Sequence, residues 1–133
     1  KRAPAAKTDM LERLCEQYYI YEGTENLQPK VLKEVKSIIQ DLRTDAKTLK
    51  GLEQTLDRNC GNLVSRLREQ LPKMKDEDIR LFIFVASGFS STTISTILEK
   101  DKGIVYNRIW RLKSKIDGSD APDKEDFLAA LGR

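Results

Sequence analysis

Residues 76–116 read DEDIRLFIFVASGFSSTTISTILEKDKGIVYNRIWRLKSKI, and this stretch punctuates itself into three short helices. The first is expected from Asp76 to Ser87. Its three acidic residues in the opening turn suit the positive end of a helix dipole, and Gly88 is placed to end it in the left-handed conformation. Ile79, Leu81, Phe82, Ile83, Phe84, Val85 and Ala86 leave it almost no polar face, so it is expected to be buried nearly all round. Ser90 or Ser91 can cap a second helix reaching about Leu98, with Ile94, Ile97 and Leu98 on one inward face.

Asp101 is placed to cap a third helix, on which Val105, Ile109, Leu112 and Ile116 form one apolar stripe at four- and three-residue steps. The opposite face carries Tyr106, Asn107, Trp110, Arg111 and Ser114. Arg108, Lys113 and Lys115 flank it, and no acidic residue stands between Ile104 and Ile116. A helix that enters a nucleic-acid groove has this composition: cations for phosphates, an amide and a guanidinium for base edges, and aromatic rings for thymine methyls. Periodicity alone equally allows an ordinary solvated face, with Tyr106 and Trp110 packed on a neighbour.

The segment from Met74 to Ile116 resembles, without gaps, the DNA-binding domain of LuxR-type regulators. Met74, Gly88, Phe89, Ser90, Ile94, Leu98, Val105, Leu112, Lys115 and Ile116 fall on matching positions. The resemblance implies a helix-turn-helix in which Tyr106, Asn107 and Trp110 face bases with Arg108 and Arg111 beside them, while Ser91, Thr92 and Lys115 lie near phosphates. The chain departs from the family pattern at Glu99, where a turn Gly is usual, at Thr93, where an acidic residue is usual, and at Arg108, where His is frequent. A non-Gly residue in a left-handed turn costs energy, so Glu99 bears on the angle between the second and third helices. SGFSSTTISTIL followed by VYNRIWRLKSKI is similar more specifically to the C-terminal region of a Bacteroidetes group of membrane-anchored transcriptional regulators. That similarity extends back to EQYYIYEG and VLKEVKSIIQDLR. It implies a repeat-containing sensor region and a membrane anchor upstream, with this chain on the cytoplasmic side.

Around this stretch, 133 residues with 39% hydrophobic and 34% charged content give room for one compact domain or two small helical units. Few Gly and Pro and the scarcity of alternating β-branched runs point to an all-α protein; with the resemblance, the expected architecture is a helical bundle followed by a LuxR-like helix-turn-helix domain. The division expected is residues 1–73 as a helical dimerisation or signal-relay region, 74–116 as the helix-turn-helix, and 117–133 as an acidic C-terminal tail with a short helix. The chain begins KRAPAAKTD without an initiator Met, and a piece of a longer protein is expected. The longest apolar run, Leu81 to Ala86, is far too short to cross a bilayer.

In residues 1–73, one helix is expected from Thr8 to Glu22, closed by Gly23. A second opens at Pro29, with Val31, Leu32, Val35, Ile38, Ile39 and Leu42 as its stripe and Lys30, Lys33, Lys36 and Arg43 outside. A third carries Leu49, Leu52, Leu56, Cys60, Leu63, Leu67 and Leu71 until Pro72 breaks it, weakened locally by Gly51 and Gly61. These stripes can pack on one another or form a dimer seam. Because a short DNA reader commonly binds two half-sites as a dimer, a homodimer through residues 8–71 is expected. Ala121 to Leu131 can form a last helix with Phe127, Leu128 and Leu131 inward.

The net charge of +3 is unevenly distributed, since Ile104 to Ile116 carries +4 and Asp117 to Asp126 carries −4. An acidic segment directly after a basic helix is able to fold back and mask it. No enzyme is expected. There is no His for proton transfer and no glycine-rich phosphate loop, and the pairs Asp76 with Asp78 and Asp123 with Asp126 sit in helix first turns, where the dipole accounts for them. Cys15 and Cys60 lack paired spacing, so no metal, redox motif or other cofactor is expected, and no small-molecule substrate is evident. The partner expected is duplex DNA. The competing expectation is a protein-protein interaction or signal-relay module that keeps the helix-turn-helix shape, anchored on its partner by Tyr106 and Trp110.

Overall fold

Ile79 and the run Leu81 to Phe84 have nowhere to go but inward, and the fold is arranged around them. In the computed structural model, which describes residue 37 and residues 39–132, a helical stretch at 39–44 is followed by six helices: α1 (Ala46–Asn59), α2 (Leu63–Gln70), α3 (Asp76–Ala86), α4 (Ser91–Leu98), α5 (Lys102–Asp117) and α6 (Lys124–Ala130). No strand occurs among the described residues, so the protein is all-α there. The helix expected over 8–22, most of the one opening at Pro29, and Cys15 lie outside the described residues.

Helix α3 buries Ile79, Leu81, Phe82, Ile83 and Phe84 and packs against α1, α2, α4 and α5. It ends as its sequence predicts. Gly88 takes φ +98, and the Phe89 N–H closes back on the Phe84 carbonyl at 3.2 Å. The Phe89 ring then stacks on Phe84 with centroids 5.8 Å apart. Ser90 caps α4 by accepting a hydrogen bond from the Thr93 N–H at 3.1 Å. Asp101 stands at the N-cap of α5, but its side chain makes no capping bond.

The leucine-striped helix expected from Leu49 to Leu71 is instead two helices. Gly61 and Asn62 are both left-handed, at φ +64 and +59, and they reverse the chain between α1 and α2. Asp57 replaces the missing cap of α2, accepting from the Val64 N–H and the Ser65 hydroxyl, each at 2.6 Å. One turn further back, Glu53 receives both arms of the Arg68 guanidinium at 3.0 and 2.9 Å. Asp57 opposite Ser65 and Glu53 opposite Arg68 are the ladder of an antiparallel pair. The 3–4 residue stripe stays apolar across the break because both arms of the hairpin bury it: Leu56 on α1, and Leu63, Val64 and Leu67 on α2.

A single apolar cluster runs from Ile39 and Leu42 through α1 to α5 and on to Phe127, Leu128 and Leu131. The core under residues 74–116 is therefore continuous with those of the preceding hairpin and the final helix. Phe127 meets Phe82 edge to face, with centroids 6.2 Å apart. No helix among the described residues is long and apolar enough to cross a membrane.

Candidate nucleic-acid interface

At 100° per residue, Val105, Leu112 and Ile116 share one side of α5, and all three are buried. The residues half a turn away are therefore pushed outward. Tyr106 is 68% exposed and Trp110 65%, one helical turn apart on the same face. Asn107, Arg111 and Ser114 stand beside them, all exposed, and Ile104 extends the apolar surface at 47%. Two rings this open are unusual in a small helical protein, where aromatic residues normally supply core area. Among the described residues, the side chains of Tyr106, Asn107, Trp110 and Arg111 take no hydrogen bond or ion pair.

The flanking cations divide. Arg108 and Lys113 are half-buried on opposite edges of α5 and also lack a partner among the described residues. Lys115 is engaged: its Nζ lies 2.8 Å from Asp78 Oδ2, tying α5 to the first turn of α3. Ser91 and Thr92 are half-buried in the first turn of α4, and the Thr92 carbonyl accepts hydrogen bonds from the Ser95 and Thr96 hydroxyls. Tyr106, Asn107, Trp110 and Arg111 thus share one open face. Arg108, Lys113 and Lys115 border it, while Ser91 and Thr92 belong to the adjoining helix.

What holds α5 against α4 is the turn at Glu99. This residue adopts φ +55 and ψ +43, the conformation a Gly would supply, and the following Lys100 N–H bonds the Ser95 carbonyl at 3.0 Å. Arg43 braces the turn from outside. Its Nε–H donates to the Ile97 carbonyl at 2.7 Å and Nη2 to the Thr96 carbonyl at 3.2 Å, and Nη1 lies 3.4 Å from Glu99 Oε2. The Ile97 carbonyl, of the kind a helix leaves unbonded at its C-terminus, gains a donor in this way, and the Thr96 carbonyl, which also accepts from the Glu99 N–H at 3.4 Å, gains a second. Sequence reasoning placed Arg43 among the outward cations of its own helix and so missed this role. The only local signal was an acidic residue where a turn Gly belongs.

The acidic tail does not cover the α5 face. Arg66 Nη1 contacts Asp123 at 2.9 Å and Asp126 at 3.0 Å, while Gln70 donates to Asp123 at 2.7 Å and accepts from its N–H at 3.0 Å. These bonds from Gln70 and then Arg66 hold the Asp123 carboxyl below its ordinary range, and the same carboxylates raise Arg66. Two of the tail's carboxylates, Asp123 and Asp126, are thus engaged by α2. No cluster of His, Cys, Asp and Glu fit to hold a metal occurs among the described residues, and Cys60 is a free, half-buried thiol. Compared with known proteins, the chain matches no family model, no curated protein and no solved structure.

Proposed function

We propose that the chain is a DNA-binding transcriptional regulator segment of LuxR-like type, in which α4 and α5 form a helix-turn-helix and α5 lies in the major groove of duplex DNA. The observation that carries this reading is the open face of Tyr106, Asn107, Trp110 and Arg111, which no other part of the described chain engages. In this reading Asn107 and Arg111 meet base edges, and Tyr106 and Trp110 make apolar contacts with thymine methyls and sugars. Arg108 and Lys113 meet phosphates, with Ser91 and Thr92 approaching the backbone from α4. Lys115 joins them by exchanging Asp78 for a phosphate. A homodimer through residues 8–71 would present two such faces to two half-sites, in the cytoplasm and without cofactor or catalysis.

Fluorescence-anisotropy titration of random duplex DNA, at low and at physiological salt, tests this directly. Binding that falls steeply with salt and is lost in a Trp110→Ala, Arg111→Ala double variant is expected.

A second reading is favoured by the exposure of Tyr106 and Trp110 together, since aromatic pairs also anchor protein interfaces. In that case the helix-turn-helix shape serves protein contact or signal relay and binds no DNA. Absence of DNA binding at low salt would put this reading first.

A further inference from the structure

Beside α5, and distinct from its outer face, a cleft of about 270 Å³ opens between residue 43, α3, the α4–α5 turn and α5. Its lining is Arg43, Arg80, Lys100 and Arg108, with Glu77 as the one carboxylate and Leu81 and Leu98 as apolar walls. Four cations drawn from four separate segments surround one concavity, although like charges repel and exposed cations ordinarily spread apart. Arg43 is fixed there by its bonds to Thr96 and Ile97. Arg80, Lys100 and Arg108 have no hydrogen-bond or ion-pair partner among the described residues. The cleft thus concentrates positive charge, and the donors of Arg80, Lys100 and Arg108 are unspent.

We propose that this cleft binds a phosphate ester, with Arg80, Lys100 and Arg108 as its ligands and Arg43 as the fixed wall. Phosphate is the anion that suits several guanidinium forks at once, because its oxygens accept paired N–H donors from more than one direction. A carboxylate offers only two oxygens and a single charge to the three unpartnered cations Arg80, Lys100 and Arg108. The phosphate arrives either in the backbone of a duplex lying along the Arg108 edge of α5 or on a free phosphorylated small molecule. The site shares Arg108 with the DNA reading, but Arg43, Arg80 and Lys100 take no part in that reading, so the pyrophosphate test stands without it. Glu77 limits affinity by repelling the same anion.

The test uses the whole chain with inorganic pyrophosphate as probe, against sodium chloride at matched ionic strength. Arginine Nε–H signals and thermal midpoints are followed by NMR and by melting. Saturable shifts of the Arg80 and Arg108 signals and a raised midpoint are expected. Affinity should fall about tenfold or more in Arg80→Gln, Lys100→Gln, since two charge-assisted contacts are lost. Arg58→Gln, on the α1–α2 hairpin, should leave it unchanged. Glu77→Gln should tighten binding by about two- to fivefold, a gain that misfolding cannot imitate. Shifts that do not saturate, or that persist in the double variant, would overturn the proposal. DNA titration of the double variant then names the source: a shallower salt dependence assigns the phosphate to DNA, and unchanged DNA behaviour with lost pyrophosphate binding assigns a free ligand.

Discussion

The Nε–H of Arg43 donates to the carbonyl of Ile97 at 2.7 Å, joining residues 54 apart in sequence. Through this bond the segment that precedes α1 closes the end of α4, and Glu99 is held in a left-handed turn without being Gly. Arg43→Gln should cost roughly 1–3 kcal/mol, because the Thr96 and Ile97 carbonyls lose a charged donor. Glu99→Gly should act the other way. It relieves a left-handed backbone costing about 1 kcal/mol and forfeits only an ion pair whose carboxylate is 71% exposed, worth less than that. Urea unfolding of the two variants checks both signs; a lower midpoint for Glu99→Gly would mean that the ion pair outweighs the strain.

The α1–α2 hairpin depends on Asp57 and Gly61. Asp57→Ala removes the side-chain cap that the described residues give α2 and should cost about 1–2 kcal/mol. Gly61→Ala should cost about 1 kcal/mol through its φ of +64, since a Cβ there meets nothing closer than Arg66 Nη2 at 3.8 Å. Equilibrium denaturation of each variant gives these losses.

Phe127→Ala should destabilise the chain by about 3–5 kcal/mol, the usual cost of emptying a fully buried aromatic site. The loss should appear in one cooperative transition, because Phe127 packs on Phe82 in a core common to all six helices. A separate early transition for α6, seen by fluorescence of Trp110 and by circular dichroism at different denaturant concentrations, would contradict that coupling.

Asp123 makes stability depend on pH on the acid side. Its folded carboxyl is held down by Gln70 and Arg66, so the protonated form is disfavoured in the fold relative to the unfolded chain. The contribution is complete above the unfolded value of about 3.9 and is lost as pH falls through the lower folded value. Urea midpoints between pH 7 and pH 2 should therefore decline less steeply for Asp123→Asn than for the parent chain.

On DNA, Arg111→Ala should weaken binding to a specific site by about 1–3 kcal/mol and random duplex by less, whereas Lys113→Ala should weaken both alike. Competition titrations with one specific and one random duplex measure the difference. Equal losses for both variants would remove base reading from Arg111. Neither change should alter folding by more than about 0.5 kcal/mol, since Arg111 is exposed and both side chains lack partners among the described residues.

From residue 76 onward the local skeleton was legible in the chain. The helix over Asp76–Ala86, its left-handed stop at Gly88, the Ser90 cap and the buried stripe Val105, Leu112, Ile116 all follow from signals a few residues apart. The inward turn of Phe127, Leu128 and Leu131 was legible for the same reason. The outward face of Tyr106, Asn107, Trp110 and Arg111 came with the stripe opposite it. Only tertiary structure decided the partners. The leucine stripe keeps its phase across Gly61 and Asn62, so periodicity cannot distinguish one long helix from a hairpin that buries the same residues. Which carboxylates Arg66 takes, which helix end Arg43 closes, and which cations meet around one cleft depend on surfaces brought together from distant segments. Spacing along a chain encodes which side of a helix is apolar; it does not encode what that side, or the charges around it, will meet.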